Sequence, residues 1–302
     1  MSSVRSLSPA PGRPKPDSYP RGGSHEVRGV QEDPAPGRPK PDVRPTRVAG
    51  PQLACAALSD VGSVRPYNED RWRADDDAAL YVVADGMGGY NAGEIAADLA
   101  VETVGRLIPE LLARDCGFAD ALQGAIAASN TCIRDFAAAH PDCLGMGTTI
   151  VACLVRRDRL HIAHIGDSRA YRLRGGMLHR LTRDHSIGQQ IADAGSMSEA
   201  RVRLLPARGI LTRALGIEAS VDCEVASVDW MPSDTLLLCS DGLSDPLTDG
   251  CIRQLLTDHA CGGPSAQVDA LIRAAMAAGG ADNLTALVVR AVDAGPLPAP
   301  MH

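Results

Sequence analysis

Aromatic residues are scarce in this chain of 302 residues, which contains two Trp, two Phe and five Tyr. Because 45% of the residues are nonetheless hydrophobic, the core must be built mainly from Val, Leu, Ile and Ala, a composition that suits helices packed on sheets. No apolar run approaches the roughly 18 residues that a transmembrane helix needs. The N-terminus also lacks the apolar segment of a secretory signal. The composition therefore predicts a globular protein that does not cross a membrane.

Paired cysteines are also missing from the sequence. The nine cysteines are scattered and odd in number, no CxxC pair occurs, and Cys153 and Cys239 lie inside apolar strand-like runs. This distribution is typical of reduced thiols, and it excludes both a disulfide framework and a zinc site. We therefore expect a cytoplasmic protein.

The sequence contains no nucleotide-binding signature and no excess of positive charge. Neither a GxxxxGK[ST] loop nor a GxGxxG fingerprint is present, which argues against a nucleotide-driven enzyme. The formal net charge is -7, although residues 1–50 hold nine basic against five acidic residues. We therefore expect no nucleic-acid partner.

Residues 1–50 are rich in proline and poor in core-forming residues. They hold ten of the 21 prolines, and the nonapeptide Pro-Ala-Pro-Gly-Arg-Pro-Lys-Pro-Asp occurs twice, at 9–17 and 34–42. Such a segment cannot bury enough apolar surface to offset its ordering entropy. It is interpreted as a disordered tail, and a docking arm, a spacer and translated upstream sequence all remain open as its origin or role.

Four acidic turns adjoin apolar strands in the remainder of the chain. Asp85 ends the run Leu80-Tyr-Val-Val-Ala and precedes a glycine-rich turn, and Asp241 follows a similar run. Asp167 follows a third strand, and Asp282 comes just before a fourth. Any single Asp-Gly turn is ordinary, but four of them predict one carboxylate cluster at one edge of the core.

A loop dense in polar side chains adds to this cluster. Residues 59–70 hold Arg65, Asn68, Glu69 and Asp70, which alone would indicate a charged surface loop. All the clustered acids are hard oxygen donors, which suit Mg²⁺ and Mn²⁺. A pair of such ions can activate a water for displacement at phosphorus, and the guanidinium of Arg65 offers bidentate contacts to phosphate.

The order of predicted elements indicates an α+β fold, with two packed antiparallel sheets flanked by helical layers. Many strands are linked by hairpins, and long helices are inserted among them in pairs. One of these helices is predicted over 118–139. This pattern does not fit a doubly wound parallel sheet. We expect one domain over residues 51–293, with an excursion or flap at about 182–213 and a short tail at 294–302.

The sequence resembles the metal-dependent protein phosphatases of the PP2C (PPM) family in their bacterial form. The resemblance covers about residues 53–289 and rests on eight motifs in the family's order. These motifs are SDVGSVRPYNED (59–70), VVADGMGGYNAGE (82–94), GMGTTIVA (145–152), HIGDSRAYRLRGG (164–176), LTRDHS (181–186), LTRALG (211–216), LLLCSDGLSDPL (236–247) and ADNLTALVV (281–289).

The resemblance implies two bound Mn²⁺ or Mg²⁺ ions, and it identifies the residues that would be the ligands of each ion. Asp85 matches the aspartate that bridges the two ions. Asp241 and Asp282 match the ligands that complete the shell of the first ion. Glu69 and the backbone carbonyl of Gly86 match those of the second.

Four further residues match the family's site. Asp70 corresponds to an acid behind the ligands that orients the attacking water, and Arg65 corresponds to the phosphate-binding arginine. Asp167 and Asp245 match ligands of a third, weaker metal site in bacterial members. The flap at 182–213 matches a segment implicated in substrate selection.

The resemblance implies a phosphoserine/phosphothreonine protein phosphatase that acts on targets of a bacterial Ser/Thr kinase. It gives no general acid, because Met87 stands where many eukaryotic members have histidine, and His164 and His185 are interpreted as structural. Compact members of this type also accompany type VI secretion systems. Two alternatives remain open, namely a catalytically silent phosphoprotein-binding member and a hydrolase of small phosphate esters.

Overall fold

The computed structural model describes residues 42–46, 52–88 and 92–292. The strands are β1 Asp42–Thr46, β2 Gln52–Asp60, β3 Asp70–Asp75, β4 Leu80–Met87, β5 Gly147–Thr148, β6 Ile150–Arg156, β7 Arg159–Ile165, β8 Arg169–Arg174, β9 Met177–Arg180, β10 Glu224–Asp229, β11 Thr235–Cys239 and β12 Leu284–Val292. The α-helices are α1 Ala92–Ala113, α2 Phe118–Ala139, α3 Ile187–Asp193, α4 Glu199–Val202, α5 Asp241–Ser244, α6 Asp249–Asp258 and α7 Gly263–Ala277. Short 3₁₀ helices lie at Pro141–Cys143 and Ala260–Gly262.

The strands form two antiparallel sheets. One has the order β1-β2-β12-β11-β8-β9, and the other has the order β10-β7-β6-β4-β3, with β5 paired to β4. Helices α1 and α2 pack on the second sheet, and α6 and α7 pack on the first. A third apolar cluster lies between the two sheets. The layers therefore follow the order helix, sheet, sheet, helix, as predicted.

The central strands are continuous apolar runs in the sequence because both of their faces are buried. On β4, Leu80 and Val82 face the helices, whereas Tyr81 and Val83 face the other sheet, and all four are fully buried. Alternate residues of a strand point to opposite faces, so a strand inside a sandwich needs apolar residues at every position. This burial holds rigid the strand ends that carry the acidic turns.

The long helices agree well with the sequence pattern. Helix α2 has the predicted bounds and ends where Pro141 follows His140, since proline cannot supply the next backbone N–H. Helix α1 contributes Ala96, Ala100 and Val104 to the core at helical spacing.

Strand β1 differs from the prediction of a disordered tail over residues 1–50, since residues 42–46 pair with β2 in antiparallel register. It lies at the edge of its sheet, where Pro45 is tolerated because an edge strand leaves some N–H positions unpaired.

The predicted excursion at 182–213 leaves the sheets and contains only the short helices α3 and α4. No helix in the described part of the chain combines the length and hydrophobicity that a bilayer crossing requires.

Candidate active site

The acidic turns come together at one edge of the sandwich. Asp70, the first residue of β3, lies directly opposite Asp85, near the end of β4. Asp167 follows β7, Asp241 follows β11 by two residues, and Asp282 precedes β12 by two. Glu69, Asp85, Asp167, Asp241 and Asp282 all line one groove. Together with Asp70 behind them, they form the carboxylate cluster.

Asp85 is fixed by its backbone. Its carbonyl oxygen accepts hydrogen bonds from the Thr149 N–H at 2.9 Å and from the Thr148 hydroxyl at 2.9 Å. Its own N–H donates to Oγ1 of Thr149 at 3.0 Å. The Thr149 hydroxyl also lies 2.7 Å from that of Ser168, beside Asp167. The two threonines therefore hold Asp85 in register with the turn that carries Asp167.

Asp70 lies behind the cluster and is 2% exposed. Its Oδ2 accepts hydrogen bonds from the hydroxyls of Ser240 and Thr285, each at 2.7 Å. Its Oδ1 is buried without a partner among the described residues. Burial raises the pKa of Asp70 to about 7, although the two hydroxyl hydrogen bonds act to lower it.

The side chains of Asp85 and Asp241 are in contact with one another and lie close to other acids. Burial, with the carboxylates of Asp70 and Asp241, raises the pKa of Asp85 well above its ordinary range. Burial and the neighbouring Asp245 and Asp282 raise the pKa of Asp241 to about 6. One oxygen of Asp241 is buried without a partner in the described part of the chain. Buried charges that lack partners are costly, and a bound cation would compensate the charge of these carboxylates.

Arg65 and Asp282 mark the mouth of the site. The Arg65 guanidinium donates to Oδ2 of Asp282 at 2.8 Å and is 52% exposed. That hydrogen bond raises the pKa of Arg65 further, so its charge is permanent. The arginine is thus held beside the acids while most of its donors stay accessible to an anion.

Glu69 and Gly86 lie on neighbouring backbone. The Gly86 N–H donates to the Glu69 carbonyl at 3.2 Å, and the Glu69 N–H donates to Oδ1 of Asn283 at 2.9 Å. Burial raises the pKa of Glu69. A Cβ at Gly86 would lie 2.2 Å from the carbonyl oxygen of Gly93, so only glycine lets the start of α1 pack against this turn.

The residues matched to a third metal site have different surroundings. Asp167 is buried, and burial with the nearby Asp241 raises its pKa well above the ordinary range. Asp245 is exposed and pairs with the flap arginine Arg208, with a nitrogen–oxygen distance of 2.6 Å. The guanidinium of Arg208 therefore already compensates the charge of Asp245.

The histidines singled out from the sequence lie outside the groove that contains the acids. His164 Nε2 is 2.8 Å from the Arg183 carbonyl oxygen, and its ring stacks on His185 at 4.8 Å. His185 Nδ1 accepts the Gly166 N–H at 3.1 Å, and its Nε2 lies 3.1 Å from Oε1 of Glu224. Neither ring lines the groove, and we assign no general acid to them.

Sequence reasoning did not assign roles to the residues that position the ligands. Thr148, Thr149, Ser240, Thr285 and Asn283 all lie within the quoted motifs. Asn283 joins the loops by donating to the carbonyls of Val61 and Tyr67 at 3.0 and 2.9 Å. The only indication of these positioning roles in the sequence was that small hydroxyl residues and an asparagine lie next to the acidic turns.

The donor set fits hard divalent cations. The described side chains of the cluster present carboxylate oxygens, with no sulfur or imidazole ligand among them. Mg²⁺ and Mn²⁺ prefer such oxygen sets. The buried oxygens of Asp70 and Asp241 that lack partners fit the same interpretation, because a cation or its water would satisfy them.

Comparison with known proteins agrees with the site. The family model described as protein phosphatase 2C matches residues 65–260. The serine/threonine phosphatase stp of Listeria innocua is 35% identical over 240 residues, which cover 76% of this chain and 93% of the relative.

Two solved structures extend the comparison. The catalytic domain of the serine/threonine protein phosphatase PstP, in complex with two manganese ions, is 36% identical with a TM-score of 0.71, covering 80% of this chain and 99% of that one. PppA of Pseudomonas aeruginosa, called a key regulatory component of the type VI secretion system, is 35% identical with a TM-score of 0.69, covering 80% and 98%. The resemblance drawn from the motifs is confirmed, and the chain belongs to the protein phosphatase 2C family of serine/threonine phosphatases.

Proposed function

We propose that this chain removes phosphate from phosphoserine and phosphothreonine residues of proteins with the help of two Mn²⁺ or Mg²⁺ ions. The observation that carries the proposal is the carboxylate cluster, because Glu69, Asp85, Asp241 and Asp282 line one groove. Buried oxygens of Asp70 and Asp241 also lack a partner among the described residues, and bound cations or their water would satisfy them. The PstP domain with two manganese ions supports the same cofactor for this chain.

The proposed ligands are Asp85, Asp241, Asp282, Glu69 and the carbonyl of Gly86. When bound, a cation pair lowers the pKa of water and neutralises charge on the phosphoryl oxygens. Asp85 would lie centrally among these ligands, because hydrogen bonds fix its backbone and its side chain contacts that of Asp241. Asp167 and Asp245 are the proposed ligands of a third, weaker site.

Two further residues act on the substrate and on water. Arg65 offers free N–H donors at the mouth of the site, and such a planar fork fits the oxygens of a phosphate. Asp70 keeps one oxygen without a partner among the described residues, so it can accept a hydrogen bond from the attacking water and orient it. The two hydroxyl hydrogen bonds hold the carboxylate in place for this role.

Initial rates on a phosphothreonine peptide test the proposal. We expect turnover with Mn²⁺, and we expect EDTA and the substitution Asp241→Ala each to abolish it. Asp258→Ala, at an exposed position on α6, is the matched control. A wild-type protein that binds the peptide but is inert with Mn²⁺ and Mg²⁺ would favour the silent phosphoprotein-binding alternative. Hydrolysis of p-nitrophenyl phosphate without hydrolysis of phosphopeptides would favour a small-ester hydrolase.

The cellular setting follows from the substrate class. We infer that the substrates are targets of a bacterial Ser/Thr kinase and that the protein acts in the cytoplasm, where its nine free cysteines would stay reduced. Similarity to PppA supports a role in type VI secretion as one candidate. Phosphoproteomes of a deletion strain would test this, with increased phosphorylation of secretion components as the expected result.

A further inference from the structure

A groove of about 1040 Å³ extends from the carboxylate cluster along one wall formed by residues 209–222. The near end contains Asp85, Asp241 and Asp282, and the wall contains Ile210, Leu211, Ile217, Glu218 and Asp222 among its lining residues. A protein substrate has to place its phosphorylated side chain at the cluster, so the groove is within reach of neighbouring residues of that substrate.

The wall is held in a fixed shape. Asn130 of α2 is 2% exposed, accepts the Gly216 N–H at 2.7 Å and donates to the Glu218 carbonyl at 3.0 Å. Gly216 has a φ of +89°, and a Cβ there would lie 2.5 Å from Cγ2 of Ile133. Only glycine allows the wall to rest on α2 in this way. The groove is therefore largely formed before a substrate binds, which lowers the entropic cost of binding.

Apolar side chains form the part of the groove next to the cluster. A Cβ at Gly147 would lie 2.7 Å from Cε of Met87 and 3.1 Å from Cδ1 of Ile217, so these two side chains converge. Ile210 and Ile217 are 58% and 47% exposed. Large apolar side chains that are exposed together beside a site often mark a surface that binds a partner.

Two uncompensated carboxylates follow Ile217 on the same wall. Glu218 and Asp222 are exposed, and neither side chain forms an ion pair or hydrogen bond within the residues that the structure describes. Arg213 also lines the groove, and its guanidinium lies 3.5 Å from Glu224 and donates to the backbone carbonyl of Asp222 at 3.4 Å. With the two carboxylates set against this one arginine, the wall still carries a net negative charge apart from that of the carboxylate cluster.

We propose that this groove selects phosphopeptides that carry an apolar and a basic side chain beside the phosphorylated residue. The inference rests on the proposed phosphatase function and specifies its substrate class. Met87, Ile210 and Ile217 contact the apolar side chain, and Glu218 and Asp222 attract the Lys or Arg.

A panel of phosphothreonine peptides tests the proposal. The peptides share an apolar residue beside the phosphothreonine and differ only in having Lys or Glu at each neighbouring position in turn. The measured quantity is the ratio of kcat/KM for the Lys peptide to that for the Glu peptide. Exposed charge pairs each contribute up to about 1 kcal/mol, so we expect a ratio of about 3 to 10 at the best position. The ratio should shrink at high salt.

Matched variants locate the source of this preference. We expect the double variant Glu218→Gln/Asp222→Asn to bring the ratio close to 1. The double variant Glu110→Gln/Asp258→Asn removes the same charge from exposed sites that line neither the groove nor the second cavity beside it, and it should keep the wild-type ratio. Ile217→Ser should lower kcat/KM for apolar peptides relative to peptides with Gly at that position.

The outcomes separate this inference from the phosphatase assignment. A wild-type ratio near 1, or a ratio that survives in Glu218→Gln/Asp222→Asn, overturns the inference while the phosphatase function stands. A preference for Glu peptides also overturns it and points to the second cavity, which contains Arg180, Arg203 and Arg208. If no peptide is hydrolysed, the affinity of the protein for the same peptides, labelled and measured by fluorescence anisotropy, tests the inference instead. Tighter binding of Lys peptides to wild type than to the groove variant supports the inference, and equal binding overturns it.

Discussion

Two clusters of ionisable side chains meet at the turn formed by Gly166 and Asp167. Asp167 belongs to the carboxylate cluster, whereas the Gly166 N–H donates to His185 of the histidine cluster, which consists of His164, His185 and Glu224. By residue type alone, the histidine cluster is an equally good candidate metal site, because its ligand atoms lie within 4.8 Å of one another.

The difference lies in how the polar atoms are satisfied. His185 Nδ1 accepts the Gly166 N–H, so the ring proton lies on Nε2 and faces Glu224. A cation at Nε2 would have to displace that proton and break the pair. In the carboxylate cluster, by contrast, Asp70 and Asp241 each keep a buried oxygen without a partner among the described residues. Unsatisfied oxygens and mutual repulsion indicate a cation site more reliably than the proximity of ligand types.

The largest expected effect is the loss of catalysis on removal of one cluster charge. Asp85→Asn keeps the shape of the side chain but weakens cation binding. Residues that merely support metal ligands cost about 10–100-fold when changed, so we expect a drop in kcat/KM of more than about 100-fold with Mn²⁺. The measurement is the rate on the phosphothreonine peptide at saturating Mn²⁺. Glu224→Gln, the matching change in the histidine cluster, should keep more than half of the activity, and equal losses in the two variants would contradict the comparison.

The second expected effect is on the pH dependence of stability in EDTA. The pKa of Asp70 is about 7 in the folded chain and near 3.9 when unfolded. The folded state therefore binds more protons between these values, and the free energy of unfolding falls as pH rises from about 4 to about 7. The contribution of Asp70 is up to about 4 kcal/mol.

Urea denaturation of the metal-free protein at several pH values measures this slope. Asp70→Asn removes one of the titrating carboxyl groups, whereas Asp85 and Asp241 remain. The slope should therefore become less steep, and the free energy of unfolding of the variant should rise relative to that of the wild type as pH rises. The histidine cluster has the opposite sign, because burial lowers the pKa of His164 and of His185. The neutral histidines therefore contribute fully to the free energy of unfolding above pH about 6.5, the pKa of an unfolded histidine, and this contribution is lost as pH falls. Parallel pH profiles of wild type and Asp70→Asn would show that burial does not raise the pKa of Asp70 in the folded chain.

The third expected effect is stabilisation by Mn²⁺. A cation that binds only the folded state stabilises it by about 2.7 kcal/mol at a hundredfold excess over its dissociation constant. We expect Mn²⁺ to raise the melting temperature of the wild type over that in EDTA, and to raise it much less for Asp85→Asn. Differential scanning fluorimetry measures both. An equal rise in the two proteins would place the bound Mn²⁺ outside the carboxylate cluster.

The sequence predicted the elements whose pattern is local. The bounds of α2 match the prediction, because helical periodicity and the breaker Pro141 act within a few residues. The convergence of Asp85, Asp241 and Asp282 was also predictable, since acids at the ends of buried strands can meet at one edge. Strand β1 was missed because it depends on pairing with β2, which its proline-rich composition does not suggest.

The positioning contacts of the site could not be derived from the sequence. That Ser240 and Thr285 donate to the same oxygen of Asp70 depends on the registers of separate strands. The pairing of Asp245 with Arg208 depends on where the flap rests, and the flap has no periodic pattern. Long-range geometry of this kind follows from packing and not from local propensity.

The smallest expected effect belongs to the histidine cluster and isolates its structural role. His185→Gln removes the ring stack on His164 and leaves the buried Gly166 N–H without its acceptor. An unsatisfied buried donor costs about 1–3 kcal/mol, so we expect urea denaturation to show a loss in this range. His179→Gln, at an exposed position on β9, should change stability by less than about 0.5 kcal/mol. Because the proposed cation ligands lie in the carboxylate cluster, the rise in melting temperature on addition of Mn²⁺ should persist in His185→Gln. Loss of that rise would make His185 part of the cation site.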